Sequence, residues 1–553
     1  MERQALLAAL LCLLVLIAYQ AGVDYFYPPP PPPPPGALAT PQVAGTATAE
    51  APAAAAVPPG APATAPPAPG RLIPVESELY SAEISSTGGR IVSMRLKRYR
   101  TTVEEDSGPL EMIEVSREAS PPLGVRFQTA GGEALDDTAV VYAADRDALR
   151  VAGADEATLT LAGTLPTGAR IEKVLTFRGD AYPIAVTVRA PELAATYVRV
   201  GLGWRHEDPA AQASGHEAHY RGAMVMAGKN FVHELTHDLA EEGPLPFTSP
   251  VGWAGYTEHY FVAAIVPESA DEARAVIDSE GGGVEVLVSS PRAEDEGTRF
   301  TVYVGPKKVD LLEDVGHGLE RAVDFGWFSL LAIPLIRLLN LFHRVTGNYG
   351  IDIILLTILV KVLFIPLTHK SMKSMRAMQR LQPQMAKLRE KFKDDRERLN
   401  KEMIELYRRH RVNPLGGCLP MLLQFPVFIG LYQGLYGAIE LRHAGFALWV
   451  ADLSTNECYP WPGQTTLVGC NDLSILGMPI PVLVLLMGAS MILQQYLTPA
   501  TGMDPTQQRM MMVLMPIMFT VMFVTFPSGL VLYWLVNNVL TIGQQWYINR
   551  AQT

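Results

Sequence analysis

Cysteine and charge are both scarce in this chain of 553 residues. Four cysteines are too few for a disulfide scaffold, and neither a C-x-x-C pair nor a His/Cys cluster indicates a metal site, so we expect no metal and no cofactor. Charged residues make up 18% of the chain, against about 25% in ordinary soluble proteins. Apolar residues reach 48% and the net charge is −11, which excludes a wholly disordered chain and disfavours a nucleic-acid binder.

Aspartate and glutamate are also absent from four long apolar stretches that are long enough, or nearly so, to cross about 30 Å of hydrocarbon. A fifth stretch, 350–368, carries a single cation, Lys361. A sixth, 325–342, contains Pro334 and Arg337 and is ambiguous. The four acid-free stretches are 417–438, 478–498, 510–526 and 529–547.

The first 70 residues contain an apolar run and then a proline-rich segment. Residues 1–27 predict an uncleaved membrane anchor, because aromatic residues and no clear A-x-A site follow the apolar run. A cleaved signal peptide is the alternative. Residues 28–70 begin with eight consecutive prolines and predict a semi-rigid spacer that continues into a flexible linker.

Residues 71–305 differ in composition, with 36 acidic and 21 basic residues and therefore a net charge of −15. Short alternating stretches such as Ile171–Phe177 and Ile184–Arg189 are separated by glycine-rich turns. This pattern is typical of antiparallel strands, and it predicts a large all-β sandwich.

The positive charge of an insertion at 370–413 determines the predicted orientation of the chain in the membrane. The insertion has 14 basic and 6 acidic residues, and its helical periodicity predicts a hairpin of two helices of about five turns, with a break near Lys393–Asp395. Short positive loops stay in the cytoplasm. The acidic domain then lies outside the membrane. The stretch 325–342 lies along the outer interface as an amphipathic helix within 306–349. The chain crosses the membrane six times, with both ends cytoplasmic. The segment 439–477 is then an outer loop, 350–547 a five-span core and 548–553 a short tail.

Lys361 lies eight residues before His369, which places it about 12 Å inside the inner leaflet. A charge facing lipid there costs about 2.5–3.5 kcal/mol, so the ammonium should pair with an anion or lie in water. The spans that follow contain no acid, and Asp352 lies at the other end of the same helix. We therefore predict a hydrated cavity, open to the cytoplasm, that attracts acidic polypeptide. The alternative is a snorkelling lysine bonded to backbone carbonyls, with a structural role only. Neutral polar residues of the other spans are Gln424, Gln433, Gln494, Gln495, Asn537 and Asn538.

Two further patterns have two interpretations each. Cys458 and Cys470 would face an oxidising compartment, where a disulfide would contribute about 3 kcal/mol on the loop-entropy model; two unpaired thiols are the alternative. A methionine stripe follows one helix face, and it indicates either core packing or an adaptable surface for varied apolar segments. The stripe consists of Met511, Met515, Met518 and Met522.

Two other function classes are less well supported. Ion-coupled transporters usually place acids at the midplane of the membrane, and the later spans have none. An enzyme would need a positioned nucleophile or a carboxylate dyad, and the histidines of the acidic domain come with neither. No Walker A motif is present to supply ATP energy.

Four segments resemble the YidC membrane protein insertases of the YidC/Oxa family. They are Asn413–Pro420, Gln424–Phe428, Phe446–Trp449 and Phe526–Tyr533. The order of parts is similar to the Gram-negative form of the family, and Ile84–Ile91 resembles the start of its periplasmic domain. The resemblance implies a periplasmic β-supersandwich. It also implies an inner-membrane core that encloses a hydrophilic groove, through which nascent membrane proteins are inserted into the lipid bilayer, alone or with the Sec translocon.

The resemblance also implies roles for individual residues. Lys361 occupies the position of the family's groove arginine, and it keeps the charge but loses the planar fork. Phe425, Pro426 and Phe428 correspond to a greasy contact surface on the third span, to which we add the methionine stripe. Relatives often contact the ribosome through a basic tail; the chain stops at Thr553 without one, so we do not expect that contact. The other residues placed in the predicted groove are Thr357, Gln424, Gln495, Tyr533, Trp534 and Asn537.

Overall fold

The computed structural model describes residues 70–550 except for several short segments. The predicted anchor and linker therefore lie outside the described residues, as do Cys458 and Cys470. The segments left out are 104–105, 115–121, 130–133, 205–220, 236–238, 240–242, 249, 281–282, 294–295, 324, 326–327, 393–394, 411–418, 458–473, 476–477 and 498–504.

Strands occupy the part of the chain from residue 72 to residue 306, which we call the β-domain. In chain order they are β1 Leu72–Glu76, β2 Tyr80–Ser85, β3 Arg90–Arg100, β4 Pro109–Glu114, β5 Gly124–Thr129, β6 Ala134–Asp136, β7 Ala143–Ala144, β8 Leu149–Arg150, β9 Glu156–Thr164, β10 Arg170–Arg178, β11 Ile184–Arg189, β12 Ala195–Trp204, β13 Gly222–Ala227, β14 Asn230–Leu235, β15 Leu245–Phe247, β16 Val251–Thr257, β17 Phe261–Pro267, β18 Arg274–Glu280, β19 Gly283–Pro291 and β20 Thr298–Pro306.

These strands form three sheets. A nine-stranded sheet has the order β14-β13-β16-β17-β20-β11-β10-β9-β7, a six-stranded sheet the order β15-β18-β19-β12-β5-β6, and a five-stranded sheet the order β4-β3-β2-β1-β8. Strand β10 alternates buried and partly exposed residues along its length, as the period of two requires when one face covers a core. Strand β17 is buried throughout, in keeping with its place inside the largest sheet.

One inward position of β10 holds a charge instead of an apolar side chain. Lys173 is fully buried and forms an ion pair with the equally buried Asp137. Its ammonium also donates to the backbone carbonyls of Gly88 and Leu123, each at 2.7 Å. The carboxylate accepts a further bond from the Tyr142 hydroxyl at 2.9 Å. Burial lowers the pKa of Lys173, and the charge of Asp137 opposes that shift.

This ion pair explains part of the Ile84–Ile91 motif. Gly88 and Gly89 both adopt positive φ, 73° and 55°, a conformation that glycine reaches without strain. The turn so formed directs the Gly88 carbonyl at Lys173. The motif therefore connects the turn between β2 and β3 to β10.

Replacing Asp137 by Asn should destabilise the β-domain by about 3–5 kcal/mol, because the buried ammonium then loses its counter-charge. Thermal or denaturant unfolding of the purified chain, followed through the β-sheet circular dichroism signal, measures this. Asp180→Asn is the matched control, since its ion pair with Arg178 is exposed and exposed pairs contribute little to stability. Equal destabilisation by the two substitutions would contradict the assignment of Asp137 as the buried counter-charge of Lys173.

Helices follow the β-domain. They are α1 Val309–Val315, α2 Ser329–Thr346, α3 Tyr349–Lys391, α4 Arg396–Arg409, α5 Leu419–Gly437, α6 Val482–Leu497, α7 Pro505–Phe523 and α8 Ser528–Arg550, with a 3-10 turn at Leu319–Ala322 and a short β21–β22 pair at Ser474–Ile475 and Met478–Pro479.

The helix bounds differ from the predicted spans by a few residues. Helix α3 is 43 residues long and continues without interruption from the 350–368 stretch into the first arm of the predicted hairpin. The second arm, α4, has 14 residues and is shorter than the predicted five turns. Asp395 caps α4 by accepting a bond from the Arg398 amide at 3.0 Å, so the second helix begins directly after the predicted break near Lys393–Asp395.

Helix α2 covers the ambiguous 325–342 stretch, shifted by four residues. By length and composition alone, Ser329–Thr346 and Tyr349–His369 are the two described helices suited to crossing a membrane; Val482–Leu497 and Met512–Phe523 are shorter apolar helices. The interfacial placement of α2 stays a prediction. Its Arg337 forms an ion pair with Glu313 of α1 at 2.5 Å.

Helix α2 packs against α5 along a row of glycines. A Cβ added at Gly430 would lie 3.0 Å from Leu331, and one added at Gly434 would lie 3.3 Å from Ile336. Such small residues, four apart, let two helix backbones approach closely. The row fixes α2 beside the core and was not identified from the sequence.

The loop 438–457, which follows α5, binds the first turns of three other helices. Asn348 caps α3 through its side-chain oxygen and donates from its amide nitrogen to the Phe446 carbonyl at 3.0 Å. The Glu457 carboxylate accepts bonds from two backbone amides in the first turn of α6, each at 3.0 Å. The Gly529 amide at the start of α8 donates to the Leu453 carbonyl at 2.9 Å. Free amides at helix starts need such partners, so this loop holds α3, α6 and α8 in register.

The β-domain contacts the same end of the helices. A ring nitrogen of His259 lies 2.9 Å from the Tyr436 carbonyl near the end of α5, and Arg442 donates to the Arg100 carbonyl at 2.9 Å. Burial, and then the charge of Lys307, lowers the pKa of His259 to about 4, so its ring is neutral at pH 7.

Candidate functional site

Lys361 lies on α3 and faces α8. Its ammonium donates to the Thr541 hydroxyl at 2.8 Å, and that hydroxyl donates to the Asn537 carbonyl one turn earlier at 2.6 Å. Among the described residues, no carboxylate pairs with Lys361, and Asp352 accepts bonds from His343 and Thr346 instead. The ammonium therefore has a neutral partner that the sequence analysis did not name.

A cavity of about 300 Å³ opens beside this lysine, between α3 and α8. Its lining on α3 extends from Ile358 to His369, a length of about 16 Å at 1.5 Å per residue, toward the hairpin. Most of the wall around the ammonium is aliphatic, which differs from the hydrophilic groove that the resemblance implies. The lining consists of Ile358, Lys361, Val362, Ile365, His369, Leu540, Gln544 and Tyr547.

Two consecutive asparagines on α8 reach two other helices. The Gln424 amide on α5 donates to the Asn537 side-chain oxygen at 2.8 Å. The Asn538 amide donates to the Ser490 hydroxyl on α6 at 2.9 Å. Successive helical residues point about 100° apart, so α8 bonds to a different neighbour from each position. With Thr541, three polar residues of α8 connect it to α3, α5 and α6.

Of the seven residues predicted to lie in the groove, all of them described, Lys361 alone lines this cavity. Gln424 and Asn537 bond to each other, and Trp534 packs among aromatic rings. The other three lie elsewhere. Thr357 is buried, and its hydroxyl donates to the Ile353 carbonyl of its own helix at 2.6 Å. Tyr533 is buried at the other end of α8. Gln495 is half-buried on α6. The cavity and these residues therefore lie at different places in the helical core.

Trp534 belongs to an aromatic cluster formed by α5, α7 and α8. Its ring meets Phe428 edge-on at a centroid distance of 4.7 Å, and Phe523 and Phe519 at 5.2 and 6.3 Å. Such pairs contribute about 0.5–1.5 kcal/mol beyond the area they bury. The structure thus joins a predicted groove residue to a predicted greasy-surface residue.

The predicted greasy surface is partly exposed in the described structure. Phe425 is 59% exposed, and Met518 and Met522 are each 42% exposed, so these two methionines are not core residues. Met515 and Pro426 are half-buried, while the Met511 side chain lies outside the described part. The exposed side of α7 is continued by Val513, Leu514, Ile517 and Val521.

Thr541 and Ser490 are the contact residues that sequence reasoning missed. The available signal was the spacing of polar residues on α8: positions 537, 538 and 541 are i, i+1 and i+4 within an apolar stretch. Polar side chains in such stretches usually face a neighbouring helix. Ser490 gave no such signal, because it is a single small residue in α6.

The fold and these contacts define a class of protein: an integral membrane protein in which a large β-domain precedes a helical core with polar contacts between its spans. The family model described as YidC periplasmic domain matches residues 72–338. A second model, described as 60Kd inner membrane protein, matches residues 341–553.

Curated relatives agree with these matches. The membrane protein insertase YidC of Pelobacter propionicus is 41% identical over 495 residues, and that of Geobacter sulfurreducens is 39% identical over 484; each match covers 86% of both chains. A crystal structure of an active YidC insertase with its first transmembrane domain resolved aligns with 87% of this chain and 94% of its own, with a TM-score of 0.37 and 17% identity. The chain belongs to the YidC family of membrane protein insertases.

Family membership confirms several sequence-based predictions. The chain is a transmembrane protein of the inner membrane with a periplasmic domain, and it is an insertase for nascent membrane proteins and not an enzyme.

The Gln424–Asn537 bond should be measurable by a double-mutant cycle. We expect a coupling energy of about 0.5–1.5 kcal/mol between Gln424→Ala and Asn537→Ala, the range found for hydrogen bonds between membrane helices. Thermal unfolding in detergent gives the four stabilities. Gln424→Ala combined with Asn538→Ala is the control cycle, because Asn538 bonds to α6; additivity is expected there, and coupling as large as in the first cycle would contradict the assignment.

Proposed function

We propose that this insertase receives the polar tail of a nascent membrane protein in a hydrated groove open to the cytoplasm, with Lys361 as its attracting charge. The proposal rests on the position of the Lys361 ammonium group. It lies inside an apolar helix beside a cavity, with a single hydroxyl partner and no carboxylate among the described residues.

Charge and energy determine what such a site can do. A carboxylate about 4 Å from the ammonium would gain about 1 kcal/mol in a water-like surrounding and about 4 kcal/mol at an effective dielectric constant of 20. A groove that admits water shortens the barrier that a polar tail must cross. Burial of the following apolar segment in lipid, at roughly 25 cal/mol per Å², then drives the step forward. No chemical step is needed.

The apolar segment would leave along α5 and α7. Phe425, Met518 and Met522 are exposed on these helices, and flexible thioether side chains adapt to varied apolar shapes. In this proposal the remaining predicted groove residues, Thr357, Gln495 and Tyr533, act by positioning the spans. The Sec translocon is a proposed partner for some substrates.

The proposed topology has six spans, with both termini and the hairpin in the cytoplasm. It rests on the net charge of +8 between residues 370 and 413 and on the positive-inside rule. Helix α2 lies along the periplasmic interface in this arrangement, next to α1 and the β-domain.

Replacing Lys361 by Ala should slow insertion of a single-span substrate with an acidic tail at least about fivefold, because a charge contact of about 1 kcal/mol or more is lost. Lys361→Arg keeps the charge and should retain most of the activity. The assay is insertion into proteoliposomes, scored by protease protection of the tail.

The same substrate with a neutral tail is the matched control. Its insertion should change much less, since it offers no carboxylate to the lysine. If Lys361→Ala leaves the acidic substrate unaffected, or slows both substrates equally, the electrostatic role is rejected.

The topology predicts which side of the membrane each exposed residue faces. In a variant without native cysteines, a cysteine at exposed Ile404 of α4 should react with an impermeant maleimide only after spheroplasts are opened. A cysteine at exposed Val141 of the β-domain should react in intact spheroplasts. A cysteine added after Thr553 should behave like the one at 404; labelling of that site from outside would refute six spans with cytoplasmic ends.

A further inference from the structure

One face of the six-stranded sheet carries a row of arginines. Arg126 of β5 lies opposite Arg199 of β12, Arg199 lies opposite Ser289 of β19, and Ser289 lies opposite Arg274 of β18. Directly opposed residues of antiparallel strands project to the same face. At about 4.8 Å between strands, the three guanidinium groups share a strip about 14 Å long, bounded at the sheet edge by exposed Asp136.

The row already binds one carboxylate. Arg126 makes a two-pronged contact with Glu285, at 3.0 and 2.7 Å. This fork-to-fork arrangement is the preferred geometry between guanidinium and carboxylate groups. The contact with Glu285 therefore shows that a carboxylate is a suitable ligand for this row of arginines.

The other two arginines have no acidic partner among the described residues. Arg199 donates to the Gln128 side chain at 2.5 Å, while its Nε atom is buried without a hydrogen-bond partner. Arg274 lies over the Tyr197 ring, with its guanidinium carbon 4.7 Å from the ring centre. Burial, and then the positive charges of Arg126 and Arg274, lowers the pKa of Arg199. A buried donor and two unneutralised charges both favour an incoming anion.

We propose that this arginine row, Arg126, Arg199 and Arg274, binds carboxylate side chains of an acidic polypeptide segment on the periplasmic side. The strip is as long as about four residues of extended chain, more than one small carboxylate fills. The surrounding domain has a net charge of −15, so an acidic segment is repelled elsewhere and attracted here. The choice of a polypeptide rests on the proposed function, whereas carboxylate recognition rests on the sheet alone.

The test uses a heptaglutamate peptide with a photoreactive group and the full-length protein in nanodiscs of neutral lipid. Crosslinked peptides are mapped by mass spectrometry, so that contacts with the basic hairpin are counted separately from contacts with β5, β12, β18 and β19. We expect crosslinks on these strands. Arg199→Gln and Arg274→Gln should each reduce them at least about tenfold, and added salt should weaken them.

Arg178→Gln is the matched control, because Arg178 is an exposed arginine of the same domain, paired with Asp180. It should change the crosslinks less than about twofold. Unfolding midpoints of all variants show whether the domain stays folded; Arg274 is exposed, so its substitution should not affect folding. Crosslinks on the hairpin alone, equal losses in Arg178→Gln, or displacement of the peptide by free glutarate at equal concentration would overturn the proposal.

Lys361→Ala separates this proposal from the previous one. It should leave the crosslinks on the β-domain unchanged whatever it does to insertion. A loss of β-domain crosslinks in Lys361→Ala would contradict the proposal that the arginine row binds acidic peptide independently of Lys361.

Discussion

Polar side chains in the apolar interior of a membrane protein need hydrogen-bond partners, and helix α8 supplies those partners for three of its neighbours. Asn537, Asn538 and Thr541 contact α5, α6 and α3 in turn. With little hydrophobic force between spans in lipid, such bonds and close packing hold helices together. The position of Lys361 depends on this arrangement, because its only described hydrogen bond is to Thr541.

The periplasmic end of the core is held differently, by backbone amides and one loop. The first turns of α3, α6 and α8 all bond to residues of 438–457 or to Asn348 beside it. The β-domain reaches the same loop through Arg442. The starts of these helices are therefore fixed there, whereas the cavity lining extends from Ile358 toward the other end of α3.

Local sequence patterns predict many of the strands and helices. The contacts between these elements depend on how the strands pair and how the helices pack. Alternation in Ile171–Phe177 predicts a strand that the structure contains, and apolar length predicts most helix bounds to within a few residues. Lys173 occupies an inward position of that same strand, yet its partner Asp137 is distant in sequence, so periodicity alone could not find it. The arginine row likewise arises from three separate strand pairings. Gly430 and Gly434 were visible in the sequence, but their partner helix was not.

The cavity beside Lys361 suits a compact cation with few fixed partners. A guanidinium group presents five donors in a fixed plane, whereas an ammonium group is compact and needs fewer partners. The wall here is largely aliphatic, with Ile358, Val362 and Ile365 on the same helix, and the one hydroxyl partner lies across on α8. A guanidinium group at this position would depend on water in the proposed groove for most of its five donors. An ammonium group keeps the positive charge that attracts a carboxylate and has fewer donors to satisfy, so it fits a wall that is largely aliphatic.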